Sequence, residues 1–425
     1  MKLGFSKKDI TPDFPVPMAG YFENRISQGI NDRLFVRALY FNIDSQDPIV
    51  LLQYDLLCLD KICLDKVYGA LKDGKNAPIP KNRIAVFCTH THSAFGGLLD
   101  MEEKINQELQ PLFGESSHIL IDLVVKQSIE AVSEAAKNCM ETALRINKGT
   151  INGVGTNRRN KDIPCDNSLF IMEFLREDKK KILLYNYSCH PTVLNKTNLF
   201  LSADFPGSVA AKLEGNDYDM TVFINGSAGD ISSRFTRQQS SFSECERYAK
   251  IIIDTINKSI KGDFLPLEKI DLQYHRITLN LAEFLEPQQA RDNLQDAIHD
   301  LIDLKKKGAD TAMLRKAASN IEGALMSLIK ISSLDSKETE ISRTVTIALL
   351  KINASVILCS PFELFSSLAL VIKNKKNIEC FGYLNKLEGY LADCDAWDNL
   401  DYEALSGDFS RGEGERYIDL VSALI

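Results

Sequence analysis

The sequence predicts an α/β (α+β) fold: a mixed β-sheet core flanked by helices, with a helical hairpin inserted late in the chain. Three observations predict it. Runs of β-branched and aromatic residues alternate with helix-length amphipathic segments along most of the 425 residues. Several of those runs end abruptly in groups that bind metals or move protons, as strand ends at one rim of a sheet do. From Glu286 to Ser333 the apolar residues instead recur at helical spacing. The chain therefore reads as one domain over 1–425, with the hairpin at 286–333 inside it.

Short strand-like runs and turns fill the first 60 residues, where Pro12, Pro15 and Pro17 precede Met18-Ala-Gly-Tyr21, and they close on the buried-strand pattern Ile49-Val-Leu-Leu-Gln-Tyr-Asp55. Helices are predicted near 61–74, 115–139, 205–214 and 242–260. In the hairpin, Leu294, Ile298, Leu301 and Ile302 mark one helix and Leu314, Ile321, Leu325 and Leu328 the other, with the turn at Lys305-Lys-Lys-Gly-Ala-Asp310. It reads as a lid on the substrate side or as a packing or dimer-forming hairpin. Strands resume at Arg343–Leu350 and Ser355–Leu358.

Net charge is −8, and Lys and Arg are scattered rather than striped, which argues against nucleic acid as a partner. No run approaches the roughly 20 apolar residues that cross a bilayer. The opening Met1-Lys-Leu-Gly-Phe-Ser-Lys-Lys-Asp9 is too polar for a signal-peptide core, so a cytoplasmic protein without stable membrane insertion is expected. Ten cysteines without a CxxC pair read as reduced thiols. Oligomeric state is not legible.

The chemistry-bearing runs are Arg83–His92, which ends in Thr89-His-Thr-His92; Ile182–His190; Thr221–Asp230; Ser355–Glu363; and Glu379–Tyr390. Only six histidines are present, and three of them (His90, His92, His190) stand at strand ends, whereas His118, His275 and His299 fall in helical or solvent-facing contexts. Strand alternation predicts His90 and His92 on one face, and Pro191 turns the chain after His190. Two histidines with Glu363 would make the two-imidazole, one-carboxylate set of a catalytic zinc. Taken alone, Glu363 at a strand-to-helix junction also reads as a routine N-terminal acid of a helix.

In this order, the motifs resemble the neutral/alkaline non-lysosomal ceramidase family. They are Gly4-Phe-Ser-Lys-Lys-Asp9-Ile-Thr-Pro12, Met18-Ala-Gly-Tyr21, Thr89-His-Thr-His-Ser93, Asn157-Arg158, Cys189-His190-Pro191 and Ser202-Ala-Asp204, then Asn225-Gly-Ser-Ala-Gly-Asp230, Ser360-Pro-Phe-Glu363, Gly382-Tyr-Leu-Asn385, Tyr390 and Tyr402-Glu403. The resemblance implies that family's catalytic-domain fold, in a short form without the C-terminal immunoglobulin-like domain. It further implies one zinc ion per chain, held by His90, His190, Glu363 and Tyr390, with His92, Arg158 and Tyr402 around the scissile amide. The implied reaction is hydrolysis of an N-acyl amide, a lipid such as ceramide or a smaller small-molecule substrate, by a zinc-activated water. A silent lipid-binding homologue and a zinc esterase are the alternatives. Arg158 has a plainer reading as a surface cation beside Arg159.

Overall fold

The computed structural model describes residues 1–44, 46–73, 78–99, 108–283, 285–332 and 341–425. Its first strand, Lys2–Asp9, lies inside the large mixed sheet, antiparallel to Phe35–Asn42 and, at its start, to Met140–Thr150. On one side the sheet continues through Ile49–Tyr54 to Ile84–Cys88. On the other it continues through Ser168–Arg176 and Lys181–Tyr187 to Met220–Asn225.

The last pairing on each side is parallel, as expected of runs that are mostly apolar and buried on both faces. These parallel pairs stand at opposite ends of the hydrogen-bonded path, yet they touch. Met220–Asn225 contacts both Ile49–Tyr54 and Ile84–Cys88, and Asn225 Nδ2 donates to Thr89 O at 3.2 Å. Strand twist accumulated over so many strands curls the sheet until its two ends meet.

A second sheet, Ile270–Asn280, Ser342–Ile352, Ser355–Cys359 and Glu379–Phe381, packs face to face on the first. Their shared core joins Phe87, Phe170, Leu184 and Ile224 to Leu350, Ile357 and Phe381. Phe381 stands edge-on to Phe87, with ring centroids 5.9 Å apart. Burying such a side chain is worth about 1.5–3 kcal/mol.

Lys61–Lys72 and His118–Lys137 cover one face of the large sheet. The second is capped by Ser117 and buries Leu120, Ile121, Val124, Ala131 and Ala135 at helical spacing. Asp204–Leu213 and Phe242–Ser259 cover the other end, the latter capped by Ser241. These four helices sit where the sequence puts them, Gly74 lying outside the described residues. Pro287–Lys306 and Thr311–Ser332 pack on each other in the predicted hairpin stretch, whose last residue, Ser333, also lies outside the described residues. Short helices after 360 (Ser366–Lys376, Cys394–Asp398, Tyr402–Ser406 and Glu413–Ser422) are not predicted, because two or three turns between loops carry too little periodicity.

All ten cysteines are free thiols. Among the described residues no helix is long and apolar enough to cross a membrane.

Candidate metal centre

The curled sheet and the second sheet aim their parallel strand ends at one point. Ile84–Cys88 delivers His90 and His92, Lys181–Tyr187 delivers His190, and Ser355–Cys359 leads into Glu363. Glu363 is in turn paired in register with Tyr390. Gly382 permits the close approach of these segments, since a Cβ there would stand 2.3 Å from Gly226 O.

Strand alternation is not what brings His90 and His92 together. The strand stops at Cys88, and His90 adopts a left-handed backbone with φ +66°, a conformation that costs energy outside glycine and clusters at functional sites. That turn sets the His90 and His92 rings 5.1 Å apart by centroid, with His90 and His190 5.0 Å apart. The ligand atoms of His90, His92 and His190 all lie within 4.8 Å of one another, a group able to hold a metal ion.

Backbone carbonyls fix each ring. Nδ1 of His90 lies 3.0 Å from Leu57 O, Nδ1 of His190 2.7 Å from Ala228 O and Nδ1 of His92 2.6 Å from Gly20 O. A carbonyl only accepts, so the proton belongs on Nδ1 and each Nε2 presents a lone pair to the centre. For His90 and His190 that lone pair meets Glu363 Oε2, at 3.3 and 2.9 Å. Nε2 of His92 is buried without a partner among the described residues.

Lone pairs facing a carboxylate oxygen repel unless a cation sits among them, so the donor set fits a divalent ion of zinc's preferences. An imidazolium paired with Glu363 is the other way to satisfy these contacts. Burial, aided by the Arg158 charge, opposes it at His190 by holding that ring down to about 4. Burial, with His90 and His190 beside it, also keeps His92 well below the usual histidine range. At Glu363 burial acts to raise the carboxyl, but His90 and His190 outweigh it and hold it well below the ordinary value.

Arg158 is not a surface cation. It is 7% exposed, and its guanidinium donates to Glu403 Oε1 at 2.6 Å and to the Tyr390 hydroxyl at 2.9 Å, with His190 Nε2 3.4 Å away. Burial pushes the Tyr390 phenol well above its usual value, while Arg158 pulls it back. A bound dication would pull the same way. Tyr402 stands edge-on to Tyr390 at 5.6 Å, and the Arg158 guanidinium lies near both rings. The structure thus gathers His90, His92, Arg158, His190, Glu363, Tyr390 and Tyr402 around one centre.

Several members of the site were not assigned from sequence. Glu403 anchors Arg158. Asp230 accepts from Ser366 N, Ser366 Oγ and Asn157 Nδ2, and so braces the loop whose carbonyls hold His190. Burial pushes its carboxyl up to about 6. Tyr383, at φ +59°, lays its ring 4.4 Å from that of His90, and its hydroxyl is buried without a partner among the described residues. Each lies within one of the quoted motifs, and that membership is the signal the sequence offered.

A family model described as "Neutral/alkaline non-lysosomal ceramidase, N-terminal" matches residues 1–263. His90, His92, Arg158 and His190 lie inside that stretch, whereas Glu363, Tyr390 and Tyr402 lie beyond it. A neutral ceramidase of Drosophila melanogaster is 23% identical over 284 residues, covering 58% of this chain and 38% of the relative, and that of Drosophila pseudoobscura pseudoobscura matches to the same extent. The chain thus spans under two fifths of the length of these relatives. Among solved structures, neutral ceramidase from Pseudomonas aeruginosa superposes with a TM-score of 0.72 at 16% identity, over 99% of this chain and 73% of that one.

Proposed function

Because the chain belongs to the neutral/alkaline non-lysosomal ceramidase family, we propose that it hydrolyses the amide bond of an N-acyl substrate with one zinc ion per chain. The observation that carries this reading is the convergence of the His90 and His190 Nε2 lone pairs on Glu363 Oε2. In it, His90, His190, Glu363 and Tyr390 hold the ion. When bound, zinc supplies a Lewis acid and brings the pKa of a water toward about 7.

The protein's own side chains do the rest. His92, with its Nδ1 proton fixed on Gly20 O, offers Nε2 as the base that takes the attacking water's proton and returns it to the departing amine. One C–O bond forms and the C–N bond breaks. Arg158 and Tyr402 donate to the carbonyl oxygen as charge develops on it in the transition state. Glu403 holds Arg158 in place for that role.

We further propose that smaller or more soluble N-acyl compounds are preferred over long-chain ceramide. A net charge of −8 with Lys and Arg scattered along the sequence gives the chain little overall attraction to an anionic bilayer. The experiment is a panel of N-acyl amides, including long- and short-chain ceramide, with matched esters, assayed on metal-replete protein for released fatty acid. The reading expects amide cleavage that a chelator abolishes and zinc restores. Ester cleavage without amide cleavage would overturn it, and a clear kcat/KM preference for long-chain ceramide would overturn the substrate proposal.

A further inference from the structure

One face of the helix Thr311–Ser332 runs along the mouth of the site. Arg315, Ser319, Glu322 and Gly323 share it, being successive positions four, three and one residues apart. Gly323 packs where a Cβ would stand 3.0 Å from Tyr402 Cα, and Ser319 Oγ accepts from Arg234 Nη2 at 2.9 Å. Arg234 Nη1 in turn donates to Arg158 O at 2.9 Å. Arg237 holds the carbonyls of Thr192 and Val193, just past His190-Pro191, and its Nε is buried without an acceptor.

These arginines differ from the others nearby. Arg158 pairs with Glu403, Arg159 with Asp401 and Asp395, and Lys196 with Glu23. Among the described residues the Arg234 and Arg237 guanidiniums bond only to carbonyls and a serine hydroxyl, and the Arg315 guanidinium makes no hydrogen bond or ion pair, its backbone carbonyl alone accepting from Ser319 Oγ at 3.1 Å. They also repel one another. After burial, Arg158 and Arg237 push the Arg234 guanidinium down to about 10, and after burial Arg237 lowers Arg315. Glu322 is the carboxylate on the same helix face; burial pushes it up, and the Lys196 and Arg234 charges pull it down. Among the described residues none of these three guanidiniums is ion-paired: Glu322 lies on the same helix face, and the Glu403 charge on Arg234 and the Glu244 charge on Arg237 act without direct contact. Partly buried cations without a direct ion pair are costly, and a ligand oxyanion lowers that cost through charge-assisted hydrogen bonds.

We propose that this vestibule selects N-acyl substrates carrying an oxyanion (carboxylate, sulfonate or phosphate) within a few bonds of the amide, bound by Arg315 and Arg237 with Arg234 behind them. The amide-hydrolase reading enters only as the bond that is cut. The test is therefore equilibrium binding, with turnover measured separately. Calorimetry on the metal-replete full chain would compare isosteres of N-lauroylglycine, N-lauroyltaurine and N-lauroylethanolamine in which CH2 replaces the amide N–H, so that none is cleaved.

The anionic pair should bind about tenfold tighter than the neutral ligand, with the gap narrowing between 20 and 300 mM salt, as expected for an ion pair near the surface (roughly these magnitudes). Arg315→Gln should close most of the gap while leaving the neutral ligand within about twofold, and Glu322→Gln should widen it. Opposite signs in these two variants are not what a merely structural role produces. Equal binding of charged and neutral isosteres, or two variants that shift both ligands alike, would overturn the proposal. Tight binding of the anionic isosteres by a protein that cleaves no N-acyl amide would support the vestibule and sink the amidase reading instead.

Discussion

The histidines on the floor of the site and the helix Thr311–Ser332 at its mouth are held by different forces. On the floor, His190 is fully buried, its Nδ1 is bonded to a backbone carbonyl, and the strand end that carries it lies in the core. At the mouth, the hairpin buries only Ala290 of its first helix, and the second touches the floor through Ser319, Gly323 and a lysine paired with Asp401. Backbone-pinned side chains pay little entropy to stay aligned, which suits metal ligation. Side chains that reach out from a lightly buried helix exchange partners at low cost, which suits recognition of a variable substrate. The two proposals place chemistry and selectivity in different parts of the chain, and substitutions should separate them.

The largest effect is expected at Glu363, the carboxylate that both imidazoles face. Glu363→Gln should lower turnover at least about 10³-fold and reduce zinc occupancy, since losing an outer partner of a ligand already costs about 10–100-fold. Steady-state kinetics with elemental analysis on the same sample check this. Next comes Tyr402→Phe, which should keep zinc and fold while lowering kcat about 10²-fold, the scale of one lost oxyanion donor. Unchanged turnover would take Tyr402 out of the mechanism and leave it as packing beneath the hairpin.

Much of the floor was legible in the sequence and little of the mouth. Strand-like runs ending in His90, His190 and Glu363 announce themselves, because a buried strand must stop somewhere and a polar group at that end is conspicuous. The helices at 118–137 and 242–259 were legible for the same reason, their apolar period being long. The left-handed turn at His90 was not, since no local residue preference signals it. The meeting of His90 with His190 was expected but its route was not: their strands lie at opposite sides of the sheet path and join only through its curl. The role of Glu403, although it lies in a quoted motif, shows only through its contact with Arg158, 245 residues away, and that of Arg315 only through its place beside Arg237, which spacing in a single chain does not encode.

The floor also makes a pH prediction. Asp230, which braces the loop holding His190, has its carboxyl pushed by burial up to about 6 from an ordinary 3.8. A folded value above the unfolded one means the stability it confers is complete below about pH 3.8 and is lost as pH rises through about 6. Asp204, likewise pushed up to about 6 by burial, adds a slope of the same sign. Chelator-treated wild-type protein should therefore lose about 2 kcal/mol more than Asp230→Asn across that window, allowing for relaxation. Denaturant unfolding at pH 4, 5 and 6 reads the difference, and parallel curves would contradict it.

The smallest expected effect probes the junction of floor and mouth. Gly323→Ala should add helix propensity, about 1 kcal/mol, but press a methyl against the Tyr402 backbone, which cannot give way as a flexible side chain would. A few-fold drop in kcat with zinc retained is expected; a drop in zinc content would mean that floor and mouth are not separable.

The central claim is that strand ends from the two sheets assemble one zinc site, and zinc stoichiometry tests it most directly. Wild-type and His190→Ala protein, purified in parallel without chelator and shown to be folded by circular dichroism, would be assayed for metal by elemental analysis. The account predicts one zinc per wild-type chain and a severe loss in the variant, and a folded His190→Ala protein that retains full zinc would contradict it.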